Sequence, residues 1–75
     1  MKTFEKWLNK KGYQFTKEVI MDGAKVEYKT NKYVIQMYRH RRGGYITYYA
    51  NSKTVEFYTV KEIQDLVERL EKFND

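Results

Sequence analysis

"YKTNKYVIQMYRHRRGGYITYYANSKTVEF", residues 28–57, decides the fold. Apolar and polar side chains alternate through it, and turn-forming clusters interrupt it at Thr30-Asn31, Arg41–Gly44 and Asn51–Lys53. Alternation at period two marks a strand with one face buried. The interruptions therefore read as hairpin turns, and strands are expected over 32–40, 45–50 and 54–58. Upstream, Asp22-Gly23 is a favoured hairpin turn because both positions tolerate positive φ. It joins 15–21 to 24–29, although "FTKEVIM" (residues 15–21) also reads as an irregular segment or as an extension of the first helix.

The turn lengths can be tested against one another. A slip of one residue would flip every side chain to the other face. Pairing Met21 with Ala24 sets Phe15, Val19 and Met21 beside Ala24, Val26 and Tyr28. Pairing Tyr28 with Tyr33 carries that face to Tyr33, Ile35 and Met37. A two- or four-residue RRGG turn carries it to Ile46, Tyr48 and Ala50, and a four-residue turn after Ala50 carries it to Val55 and Phe57. Each junction keeps the apolar set together, as an antiparallel meander of four or five strands requires.

Helical spacing flanks this region. Phe4, Trp7 and Leu8 share one face of a short first helix, with Thr3 as its expected N-cap and Gly12 as its stop. Val60, Ile63, Leu66, Val67, Leu70 and Phe73 form the apolar stripe of a last helix. Thr59 and Glu62 open it as a capping box, each satisfying a free amide. The expected fold is α+β: an antiparallel four- to five-stranded meander with the N-terminal and C-terminal helices packed on one face, all in one compact domain over residues 1–75.

Composition narrows the function. The chain has no cysteine and one histidine, which excludes disulfides and thiolate zinc sites. No cofactor or metal is expected. No apolar run is long enough to span a bilayer, and the first residues lack the apolar core of a signal peptide, so a cytoplasmic protein is expected. Residues 1–59 hold 12 Lys/Arg against 5 Asp/Glu, and residues 60–75 hold 3 against 5, so charges of +7 and −2 make up the net +5. A basic body with an acidic last helix suits a polyanionic partner.

The sheet face left without helices would carry Tyr38, His40, Tyr45 and Tyr49, with Arg41 and Arg42 at the hairpin tip and Lys32 on the same face. Exposed aromatics beside cations suit single-stranded nucleic acid, whose bases stack on rings while phosphates meet the basic rim. These seven residues are the expected nucleic-acid-binding set. Cross-strand tyrosine pairing is the purely structural reading. A protein-interaction or homodimerising module of phage or mobile-element type, without enzymatic activity, is the alternative; the Lys/Asn/Tyr/Ile-rich usage resembles that of an AT-rich bacterium or its phage. A remoter one is a toxin-like ribonuclease with His40 as general base and Arg39, Arg41 or Arg42 stabilising the phosphorane charge. No catalytic residue is assigned. Gly43-Gly44 is read as a turn, because no GxxxxGK[ST] pattern surrounds it.

The helix–meander–helix order resembles the double-stranded-RNA-binding domain. That family's lysine cluster opening the last helix is replaced here by Thr59-Val60-Lys61-Glu62. "KKGYQF" (Lys10 to Phe15) resembles the first helix exit of a toxin family built on the same plan, whose Gly-Ser-His is missing. Tyr33 to Phe73 is similar in outline to a single-strand-binding transcriptional coactivator. These are resemblances of topology.

Overall fold

The computed structural model describes residues 2–50 and 52–74, with the side chains of Lys2, Phe73 and Asn74 left aside. Helix α1 (Lys2–Lys10) leads into strands β1 (Thr16–Ile20), β2 (Lys25–Lys29), β3 (Tyr33–Tyr38), β4 (Gly44–Tyr48) and β5 (Lys53–Phe57), and helix α2 (Val60–Asn74) follows. The strands form one antiparallel sheet in chain order. The expected α+β meander is the observed fold, and residues 16–20 do form its first strand.

α1 begins at Lys2, so Thr3 stands inside its first turn and not at its cap. Its exit is a Schellman motif, as the glycine there suggests. Tyr13 N donates to Leu8 O (3.1 Å) and Gly12 N to Asn9 O (3.0 Å), with Gly12 at φ 82°. α2 opens as expected, with Glu62 N donating to Thr59 Oγ1 at 3.1 Å. Glu62 Oε2 accepts from Tyr58 N at 2.9 Å, one residue before the cap.

Every turn preserves the expected parity, yet all four differ in register or length. β1 and β2 pair as Ile20 with Lys25, leaving four residues in the turn in place of two. Met21 and Asp22 both adopt left-handed backbone there, at φ 53° and 55°. β2 and β3 pair as Lys29 with Val34, two residues beyond the expected Tyr28–Tyr33 register. Thr30 is the cause: its buried Oγ1 accepts from Lys32 N (3.2 Å) and Tyr33 N (3.1 Å) and closes a tight turn. In the third hairpin Met37 pairs with Gly44 and Tyr38 N donates to Gly43 O (3.1 Å), so the loop is Arg39–Arg42 and Gly44 belongs to β4. In the fourth, Tyr48 pairs with Lys53, which draws Tyr49 and Ala50 out of the strand. Asn51, placed in that turn by its sequence, lies outside the described residues.

The inward face carries Val26, Tyr28, Tyr33, Ile35, Met37, Ile46, Tyr48 and Phe57, all buried against Phe4, Leu8, Ile63 and Val67. Trp7, Val60, Leu66 and Leu70 pack around this core half-buried. Phe4 stacks on Trp7 and meets the Tyr28 ring edge-on. Lys11 Nζ reaches Glu68 (3.5 Å) and Glu71 (3.8 Å) and ties the α1 exit to α2. Val19 and Met21 share the inward parity but are 50% and 64% exposed, and Ala24 and Ala50, which lie in turns, are also exposed. The Phe73 side chain, expected in the α2 stripe, falls outside the described side chains.

Candidate nucleic-acid interface

The structure divides the expected site between the two ends of the sheet. At one end, β2, β3 and β4 bring Lys25, Tyr38 and Tyr45 together. Lys25 is the cross-strand partner of Tyr38, and its Nζ stands 5.0 Å from the Tyr38 ring centroid and 5.1 Å from that of Tyr45. The two rings meet edge to face at 6.3 Å. Arg41 lies over the Tyr38 ring, its Cζ 5.5 Å from the centroid. Cation–π contacts of this kind hold the cationic heads over the aromatic surface. Arg41 and Lys25 thus have a preferred position before any partner arrives.

The loop that carries the cations follows from the third turn. Arg39, His40, Arg41 and Arg42 fill it, and all four are exposed. Arg39 N donates to Ala24 O (3.0 Å), docking the loop against the β1–β2 turn. No carboxylate pairs with Arg39, Arg41 or Arg42 among the described residues. His40 does not stand on the open sheet face, as its expected strand position would require. Because β3 ends at Tyr38, His40 lies in the loop and borders a shallow depression with Lys17, Val19, Val26 and Arg39 on the helix side of the sheet.

At the other end of the sheet lie Lys32 and Tyr49. Lys32 is in the β2–β3 turn, and Tyr49 N donates to its carbonyl at 3.0 Å. Four residues separate Tyr49 from Tyr45, on the order of 13 Å along a strand. Lys32 and Tyr49 therefore do not join the Tyr38–Arg41 cluster.

The middle of the open face is acidic. Glu18, Glu27, Gln36, Tyr45 and Glu56 form one continuous cross-strand row. Gln36 Nε2 donates to Glu27 Oε2 (2.9 Å), and Lys29 reaches Glu27 at 3.3 Å. Three carboxylates thus stand in one row, with the charge of Glu27 met by Lys29. They act on the tyrosines beside them. A hydrogen bond with Tyr38, and then the charges of Tyr38 and Glu56, hold the Tyr45 phenol above its ordinary value. A hydrogen bond to Glu56 and its charge do the same for Tyr58.

Three contributors to this end stand outside the seven residues expected from the sequence. Lys25 would have been found with the correct β2–β3 register, since the expected pairing set it opposite Gln36. Arg39 was assigned to a strand and is in the loop. Tyr58, 59% exposed, follows β5 directly beside Gly43. Among the described residues no three His, Cys, Asp or Glu side chains gather as metal ligands would, and no helix is long and apolar enough to cross a membrane. No family model matches the chain, and no curated protein or solved structure matches it.

Proposed function

We propose that this chain is a small nucleic-acid-binding module that holds single strands at the loop end of its sheet. The observation that carries the reading is the loop itself: Arg39, His40, Arg41 and Arg42 are consecutive, exposed and free of carboxylate partners among the described residues. Lys25 adds a fourth fixed positive charge beside them. Phosphates meet these cations, and unpaired bases lie on the neighbouring tyrosines, an arrangement that single strands satisfy and a closed duplex does not. The acidic row confines the contact to this end, so the site is short. Contacts of this type position a backbone and do not read base edges, so sequence preference is weak. Titration of labelled single- and double-stranded oligonucleotides at low salt tests the reading: tighter, saturable binding of the single strand is expected, and absence of saturable binding to either at tens of micromolar protein ends it.

One observation favours a second reading, a protein partner or a second copy of this chain at β1. This edge strand is exposed along most of its length, and Val19 and Met21 leave apolar surface beside its unpaired backbone. Such an edge can template pairing with another strand. Light scattering at micromolar concentration separates the possibilities: about twice 9.2 kDa indicates a homodimer, and 9.2 kDa removes it.

A further inference from the structure

Between the Arg39–Arg42 loop and the start of α2 lies a cleft of about 280 Å³. Its floor is apolar, made by the buried Met37 and Phe57 side chains, and Val60 of α2 closes one side. Tyr58, Arg41 and Arg42 also line it. The cleft exists because the loop returns close to the end of β5. Gly43 sits at φ 101°, and a Cβ there would come within 2.6 Å of Phe57 O. Its volume lies below the roughly 300–1,000 Å³ of sites that hold drug-sized ligands. There is room for one flat ring system.

We infer that this cleft receives a single unpaired nucleobase of the bound strand, with the adjoining phosphate held by Arg41 and Arg42. The inference rests on the single-strand reading above and deepens it. A nucleotide joins the two chemistries the cleft joins: a flat, largely apolar ring for Met37, Phe57 and Val60, and an anion one step away for the guanidinium groups. An exposed tyrosine in the lining supplies a further stacking face. Arg41 lines the cleft while its guanidinium lies over the Tyr38 ring, which holds it at the loop. An acidic peptide that inserts an apolar side chain is the competing occupant, and the test includes it.

The experiment uses the whole chain and a labelled oligothymidylate of about ten nucleotides, compared at low salt with a strand of equal length built from abasic sites. The intact strand should bind about fivefold tighter or more, the lower end of what one stacked base contributes. Tyr58→Ala, at an exposed position, and Val60→Phe, which fills the cleft, should each reduce that difference to the share that stacking on Tyr38 and Tyr45 contributes and leave the salt dependence unchanged, with folding checked by circular dichroism; a difference that both variants leave untouched would overturn the cleft assignment. Equal affinity for intact and abasic strands, both falling with salt, would overturn the base-binding cleft and leave the phosphate-binding loop standing. Binding of neither strand would overturn both. An acidic peptide of equal charge carrying one phenylalanine should compete poorly; competition equal to that of the oligonucleotide would also overturn the assignment.

Discussion

The Tyr28 hydroxyl donates to Glu5 Oε2 at 3.0 Å, and Lys17 Nζ reaches the same oxygen at 3.0 Å. One carboxylate oxygen thereby ties α1 to β1 and β2. The bond from Lys17 is the largest influence on Glu5; it outweighs partial burial, Tyr28 adds to it, and the carboxyl is held below its ordinary value. A carboxyl whose folded value is lowered contributes stability above its unfolded value and loses it as pH falls through the folded one. Glu5→Gln should therefore destabilise at neutral pH by about 0.2–1 kcal/mol, the range of a partly exposed ion pair. The gap from the parent should close as pH falls below the ordinary carboxylate value. Urea midpoints at pH 7 and pH 3 check this, and a gap of the same size at both would show that the charge is not its source.

The α2 stripe is not uniform in depth. Ile63 and Val67 are fully buried, whereas Leu66 is only half-buried. Ile63→Ala should cost about 2–5 kcal/mol, a large part of a small domain's total stability. Leu66→Ala, which periodicity alone marks as an equal core position, should cost distinctly less. Denaturant titration of the two variants checks the order, and a larger loss for Leu66→Ala would contradict the packing described here.

The fold was legible because a two-residue period survives errors in loop length. The second, third and fourth hairpins pair two, four and four residues away from the expected registers, and even shifts keep Tyr33, Ile35, Ile46 and Phe57 facing inward. A contact across strands has no such protection. The Lys25–Tyr38 pair depends on the register that Thr30 sets through its hydroxyl, a side-chain effect that alternation does not carry. The shortened third strand likewise moved His40 out of the cluster, and the register of the third hairpin set Tyr49 beside Lys32 at the far end of the sheet. The acidic row was present in the strand parity, but its continuity across five strands emerges only when all four registers are known.

Gly44 also changes its role with the register. Read as half of a Gly-Gly turn, it would be tolerant of alanine. In β4 it lies opposite Met37, and a Cβ would overlap the Gln36 carbonyl oxygen. Gly44→Ala should destabilise by about 1–3 kcal/mol, as overpacking does. For a domain of this size the melting temperature should fall by roughly 4–8 °C per kcal/mol. An unchanged thermal melt would return Gly44 to the turn.

The loop arginines make the most direct claim on function. Each phosphate neutralised by a cation releases counterions, so the logarithm of the affinity falls linearly with the logarithm of salt, with a slope near −0.7 per contact for a single strand. Arg41→Ala combined with Arg42→Ala should weaken binding of every sequence alike and make that slope shallower by about 1–2 units. Neither side chain packs in the core, so the melting temperature should stay close to that of the parent. Tyr45→Ala should act differently. It removes a ring that Lys25 and Tyr38 both contact, so affinity should drop while the slope hardly moves. Lys32→Ala supplies the internal control, since the structure places Lys32 at the far end of the sheet, and its replacement should leave both quantities close to the parent. A slope that responds to Lys32 as strongly as to Arg41 and Arg42 would mean that binding follows net charge and not the loop.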